Sequence, residues 1–268
     1  MGMRSRTILN LVCAAAVCLA AAAGASAQDF QRSYNLGDGG AVQIVNVSGD
    51  IELKGHDGGA VVVSAYKTGR DREMVEVEDD STQGRVVLRV RYPNNCNCDA
   101  GVRFEVRVPR SSGLSLDKIT TASGNVSAEG FTAGRVSLST ASGDVSVRRL
   151  GGEIKASSAS GTVRVSDSTG RVNASSASGD VEVELTRLEG GGDMSFSSAS
   201  GNVHVRMPSN IDAQVSMSTV SGSIETNFPI EVKTSRYGPG SRAQGQLGSG
   251  SRSLKLSSAS GNISLKSI

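Results

Sequence analysis

The chain has 268 residues, a formal net charge of +2, no tryptophan and only 3% aromatic residues, with 33 glycines against 5 prolines. So small a net charge excludes a general electrostatic pull toward nucleic acid. So few large rings leave a core of Val, Leu, Ile and Ala, side chains that fill a thin interior rather than a thick globular one.

The first segment reads as an export signal. Arg4 and Arg6 precede an uncharged apolar run over residues 8–23, and Ala25, Ser26 and Ala27 follow in the small-x-small pattern of a cleavage site. Residues 1–27 are therefore expected to be a signal peptide cleaved near Ala27, with Gln28 opening an exported chain of the periplasm or the cell envelope or surface. The run is too short for a membrane span, which needs about 20 apolar residues, so the mature chain is expected to have no transmembrane span. Cleavage removes two of the 28 bases and none of the 26 acids, so the mature charge is 26 − 26, near zero.

Residues 28–110 read as β-strands of irregular spacing, at 42–47, 60–65, 75–77, 86–92 and 102–108. They are expected to form an N-terminal β-strand or cap region. Within it lies Cys96-Asn97-Cys98, the one chemically distinctive short motif. An oxidising compartment favours a local disulfide between Cys96 and Cys98 that pins a loop. Interchain pairing, free thiols and a metal site are the alternatives. A bridge between positions two apart closes a very small loop and gains little entropy.

Residues 111–268 are repetitive. Thr120-Thr121-Ala122-Ser123-Gly124-Asn125-Val126 recurs as Ser139–Val145, Ser157–Val163, Ser175–Val181, Ser197–Val203, Ser218–Ile224 and Ser257–Ile263, and Val47-Ser48-Gly49-Asp50-Ile51 is a degenerate copy. The corner glycines fall at 124, 143, 161, 179, 201, 222 and 261, giving gaps of 19, 18, 18, 22, 21 and 39. Gly134, Gly152 and Gly170 lie half-way, so each unit of about 18 residues holds two strands and two turns.

Apolar residues alternate through both strands. Val145 and Val147, Val163 and Val165, Val181 and Val183, Val203 and Val205 form one inward set. Val136 and Leu138, Ile154 and Ala156, Val172 and Ala174, Met194 and Phe196 form the other. Arg148, Lys155, Arg164, Glu182, Glu184, His204 and Arg206 are expected to face out. One unit cannot bury its apolar face alone, but stacked units can. The expected fold is an all-β, single-chain, β-helix-like solenoid with two-strand rungs, preceded by the irregular cap.

Residues 234–251 are expected to be a flexible basic loop that interrupts the last two rungs. No acid follows Glu231, whereas Lys233, Arg236, Arg242, Arg252, Lys255 and Lys266 do. This basic C-terminal segment is a candidate contact for an anionic envelope polymer. Residues 254–268 read as a final rung that simply stops, with an open strand edge available for self-association.

The stretch Val106-Arg107-Val108-Pro109, then Gly113-Leu114-Ser115-Leu116, then Thr121–Val126 resembles the bacterial "putative adhesin" family of β-strand-repeat domains of unknown function. The resemblance covers most of residues 30–268. It implies a β-solenoid of the cell envelope and supplies no catalytic residues.

No catalytic, cofactor-binding or metal-ligating residues are assigned. Ser-Gly-Asp corners suggest a calcium roll, but the acid is present only at Asp50, Asp144 and Asp180, against Asn125, Asn202 and Asn262. The alternative function is a polysaccharide-active β-helix enzyme, which needs converging carboxylates. Asp180, Glu182 and Glu184 share a strand, and a solvated charged face accounts for them. The expectation is a non-catalytic structural or interaction protein, adhesin-like and not an enzyme.

Overall fold

The computed structural model describes residues 28–188, 191–234 and 240–268. The expected signal peptide, residues 1–27, lies outside them, as does Arg236. No α-helix is present among the described residues.

Alternation of apolar and polar side chains sets the strands. The first part of the chain forms β1 (Phe30–Tyr34), β2 (Ala41–Val45), β3 (Ile51–His56), β4 (Val61–Thr68), β5 (Glu76–Asp79), β6 (Arg85–Arg91) and β7 (Gly101–Pro109). The repeats then give pairs, one strand on each side of a Ser-Gly corner: β8 (Ser115–Ser123) and β9 (Val126–Glu129), β10 (Thr132–Ser142) and β11 (Val145–Arg148), β12 (Gly151–Ser160) and β13 (Val163–Ser166), β14 (Thr169–Ser176) and β15 (Val181–Glu184), β16 (Met194–Ser198) and β17 (Val203–Met207), β18 (Ala213–Ser221) and β19 (Ile224–Thr226). The chain ends with β20 (Val232–Thr234), β21 (Ser241–Leu247), β22 (Ser253–Ser260) and β23 (Ile263–Ser267).

The strands form two sheets. One has twelve strands in the order β20-β21-β18-β22-β16-β14-β12-β10-β8-β2-β6-β5. The other has eleven, β1-β4-β7-β3-β9-β11-β13-β15-β17-β23-β19. Along most of their length neighbouring strands are parallel. In the middle, partners are 18 residues apart, with Val136 opposite Ile154 and Ile154 opposite Val172. The inward residues read from the alternation are all buried, Val145, Val147, Ile154, Phe196 and Val203 among them. Burying one such side chain contributes about 1.5–3 kcal/mol, while ordering each residue costs about 1–2 kcal/mol of backbone entropy. A single rung therefore does not balance on its own, and the core exists only as a stack.

Chain order and stacking order part company at both ends. Near the N-terminus, β2 and β3 lie between the β6/β7 pair and the β8/β9 pair, parallel to both. Residues 41–56 and 85–109 are thus rungs of the stack, which narrows the expected cap region. The covering strands are β4 and β1 on the eleven-stranded sheet and β5 on the other, all added antiparallel. The two outermost strands are clipped together across the end of the core: Tyr34 Oη donates to Asp79 at 2.7 Å, and Arg32 pairs with the same carboxylate.

At the other end, β22 and β23 occupy the level between β16/β17 and β18/β19. The last rung in the sequence is therefore not the last in the stack, which corrects the expected open C-terminal edge. Beyond β18 lies β21, antiparallel over seven residue pairs from Ala213 opposite Leu247 to Thr219 opposite Ser241, and then β20. Residues 241–247, expected in a flexible loop, are therefore a strand. Their inward side chains Ser241, Ala243 and Leu247 are buried, and Phe228 and Ile230 close the same end. The strands left at the sheet edges are β1, β5, β19 and β20, only three to five residues long. Short edges of this kind are a usual protection against edge-to-edge pairing.

Candidate interaction surface

The repeat motif is consumed by the stack. Its second residue, Ser or Thr, is buried, and its hydroxyl donates to the corner glycine carbonyl of the preceding rung: Thr140 to Gly124, Ser158 to Gly143, Ser176 to Gly161 and Ser198 to Gly179, each at 2.8 Å. Ser241 of β21 makes the corresponding bond to Gly222 at 3.3 Å, so the covering strand closes the series. At the opposite end Asn46 replaces the hydroxyl and reaches Val102 O at 2.7 Å. The corner glycine admits no side chain, because a Cβ on Gly143, at φ +148°, would lie 2.2 Å from Gly124 O.

The residue after the glycine forms a second series. Asp50 Oδ1 accepts from Asn125 N, Asn125 Oδ1 from Asp144 N, Asp144 Oδ1 from Thr162 N, and Asp180 Oδ1 from Asn202 N, at 2.7–2.9 Å. Only a side-chain oxygen is required, which explains why Asp and Asn alternate. Among the described residues no group of three or more His, Cys, Asp or Glu side chains is placed to hold a metal ion.

The carboxylates weighed for catalysis each have a protein partner. Glu182 pairs with Arg164 at 2.8 Å and Glu184 with Arg206 at 3.0 Å, while Asp180 belongs to the corner series. A polar cleft of about 370 Å³ at the N-terminal end, lined by Asp38, His56, Asp57 and Arg110, is likewise engaged internally. His56 Nδ1 accepts from Gly58 N at 3.1 Å, so Nε2 carries the proton toward Ala60 O at 2.8 Å, and Arg110 pairs with Asp57 at 2.7 Å. Cys96 and Cys98 sit in the loop between β6 and β7, with Cα atoms 5.1 Å apart. That loop is also tied at Asp99, which pairs with Arg70 and whose N–H donates to Asp71.

The two outer faces differ in charge. On the eleven-stranded sheet, β9 to β19 through the stack carry four bases, Arg148, Arg164, Arg206 and Lys266, and four acids, Glu129, Glu182, Glu184 and Glu225. Ion pairs bridge neighbouring strands there, including Lys266 to Glu225 at 3.0 Å. On the twelve-stranded sheet, β8 to β21 through the stack carry six bases, Lys118, Arg135, Lys155, Arg171, Lys255 and Arg242, against Asp117 and Glu153. Glu153 is shared by Arg135 and Arg171. The Arg171 guanidinium, helped by Arg135 and opposed by burial, holds its carboxyl below the usual range.

Lys155 and Lys255 lie in one register row, Lys155-Asn173-Ser195-Lys255. Three strand spacings, about 14 Å, separate them. Beside this row runs a hydroxyl row, Ser139-Ser157-Ser175-Ser197-Ser257-Ser218, which ends at Arg242 of β21. The structure thus divides the basic C-terminal segment. Arg242 and Lys255 join the hydroxyl-lined face, Lys266 is paired on the other sheet, and Arg252 lines a cleft with Asp212. Lys118 and Arg171 join the same face. Their signal in the sequence was an outward strand position rather than a charge run.

No helix among the described residues is long and apolar enough to cross a membrane. The sequence profile of the family described as Toastrack DUF4097 matches residues 40–266. No curated protein matches the chain. Among solved structures, a "putative adhesin" from Bacteroides fragilis NCTC 9343 is 14% identical, with 89% of this chain and 96% of that one covered and a TM-score of 0.40. A "putative cell adhesion protein" from Clostridium sporogenes ATCC 15579 is 12% identical, with 89% and 99% covered and a TM-score of 0.39.

Proposed function

Because the chain belongs to the Toastrack DUF4097 family, we propose that it is a non-catalytic, exported cell-envelope protein, a stiff stack of rungs of about 18 residues that works as a structural and interaction element. Its signal peptide is cleaved near Ala27, and it acts in the periplasm or at the cell surface. The twelve-stranded sheet is the working face, and its partner is an anionic envelope polymer laid across the strands.

The charge difference between the repeat strands of the two sheets, β8 to β21 against β9 to β19, is the observation that carries this reading. Lys155 and Lys255 stand among serine and asparagine side chains and Arg242 between Ser218 and Lys233, with no carboxylate opposite them, whereas the bases of the other sheet along the repeats mostly face acids. Hydroxyl rows repeating at the strand spacing suit a chain of sugar residues, and isolated cations suit its acidic groups. Engagement of Glu182, Glu184 and Asp180 by their neighbours supports binding rather than hydrolysis.

Binding of the mature chain to purified lipopolysaccharide, with uncharged dextran as comparison, tests the reading. The expected result is binding to the lipopolysaccharide alone, weakened by added salt. It should fall several-fold in a Lys155→Gln/Lys255→Gln variant and be unchanged by Arg148→Gln on the opposite sheet. An undiminished double variant would refute the assigned face, and release of cleaved polymer would refute the non-catalytic reading.

A further inference from the structure

The level held by β22 and β23 is a slot with a strand edge on each side. On one side Ser258 Oγ donates to Gly201 O at 2.9 Å, and Asn202 Oδ1 accepts from Asn262 N at 2.9 Å. On the other, Thr219 Oγ1 donates to Gly261 O at 2.8 Å, and Asn262 Oδ1 accepts from Ser223 N at 2.9 Å. The hydroxyl bonds are those made by the rungs from Thr140 to Ser198, and the corner bonds repeat those at Asn125 and Asp180; none depends on how the rung is joined to the rest of the chain.

Residues 248–252 join the occupant to β21. Gly248 and Gly250 there have φ of +62° and +73°. Asp212 is the main anchor of the connection, accepting from Ser249 Oγ at 2.7 Å, Gly250 N at 2.6 Å and Ser251 N at 3.3 Å, and the flanks are held by Gln246 Nε2 donating to Gly248 O at 3.3 Å and Gln214 N donating to Arg252 O at 2.7 Å.

We propose that this rung is exchangeable: the slot accepts residues 253–268 of a second copy of the chain, and two copies trade the segment to form a swapped dimer. An element on a short hinge, making identical contacts at home and in a partner, is the usual basis of domain swapping. The second copy is the fitting occupant because the slot asks for Leu254 and Leu256 on one strand, Ile263 and Leu265 on the other, and a Ser-x-x-Gly-Asn corner between them. The swap does not rest on the polymer-binding face.

Two single-cysteine chains beginning at Gln28, and so without Cys13 and Cys18, test it: Ser197→Cys and Ser257→Cys, each with Cys96 and Cys98 replaced by serine. Ser197 and Ser257 are register partners on adjacent strands, a separation a disulfide can span. The two chains are refolded together at high concentration and oxidised. A disulfide-linked heterodimer well above that of a control pair, Ser139→Cys with Ser257→Cys, is the expected result, since β10 and β22 are not neighbours. Asp212→Ala, which loosens the hinge, should raise the heterodimer fraction further. Heterodimer at the control level in both backgrounds would overturn the proposal. A Ser197→Cys/Ser257→Cys double variant checks the premise, because it should crosslink within one chain.

Discussion

The hydroxyl of Ser158 donates to the carbonyl oxygen of Gly143 at 2.8 Å, from one rung to the corner of the rung before it. Ser158 is buried, so Ser158→Ala leaves that carbonyl without its donor. The expected cost is about 1–3 kcal/mol, read as a lower denaturant midpoint at unchanged slope. Ser158→Thr should stay near wild type, because Thr140 and Thr219 make the same bond. Gly143→Ala should cost more than Ser158→Ala, since its Cβ meets backbone rather than a yielding side chain.

The corner oxygen series predicts a different pattern at Asp144. Its Oδ1 accepts from Thr162 N at 2.8 Å, and an amide oxygen does the same work. Asp144→Asn should shift stability by no more than about 0.5 kcal/mol, and Asp144→Ala by about 1 kcal/mol. Thermal midpoints measured with calcium and with chelator should coincide. A clear rise with calcium would restore the metal reading that the alternation of Asp and Asn argues against.

Acid should loosen the N-terminal end first. Burial of Asp79 alone would raise its pKa, but hydrogen bonds from Ser81, Tyr34 and Arg32 outweigh that and hold it below the usual value. A carboxyl whose folded pKa is depressed contributes stability that is present above its unfolded pKa, about 3.9, and lost as pH falls through the lower folded value. Amide exchange in β1 and β5 should therefore accelerate below about pH 4 more than exchange in β12 or β14. Asp79→Asn should remove that difference.

Phe228 and Ile230 close the C-terminal end of the core. Phe228→Ala should cost about 3 kcal/mol, the low end for loss of a buried ring. It should also expose the inner side chains of β18 and β19, and static light scattering of the folded variant should show concentration-dependent association beyond that of the parent chain.

The middle of the fold was legible because every second residue from Val136 to Val205 repeats one decision, inward apolar or outward polar, and one corner motif marks each turn. The order of the rungs at the ends was not. Gly222 and Gly261 carry the same motif as Gly201, so nothing in the residues says which of their rungs stacks on β17. The strand β21 was hidden for a related reason. Its inward positions are Ser241, Ala243, Gly245 and Leu247, too small to show alternation beside glycine-rich turns, and only pairing with β18 reveals it. The basic face was half visible. Lys155 was read as outward, but Lys255 and Arg242 were grouped by their nearness in sequence, whereas the stack groups them by level.

Because strands placed out of sequence order close both ends, the molecule's length can be edited only in its interior. From β8 to β17, chain order and stacking order coincide, and a unit copied or deleted there leaves both closures intact. A unit appended after Ile268 would emerge beside a level already flanked by β17 and β19 and find no free edge to extend.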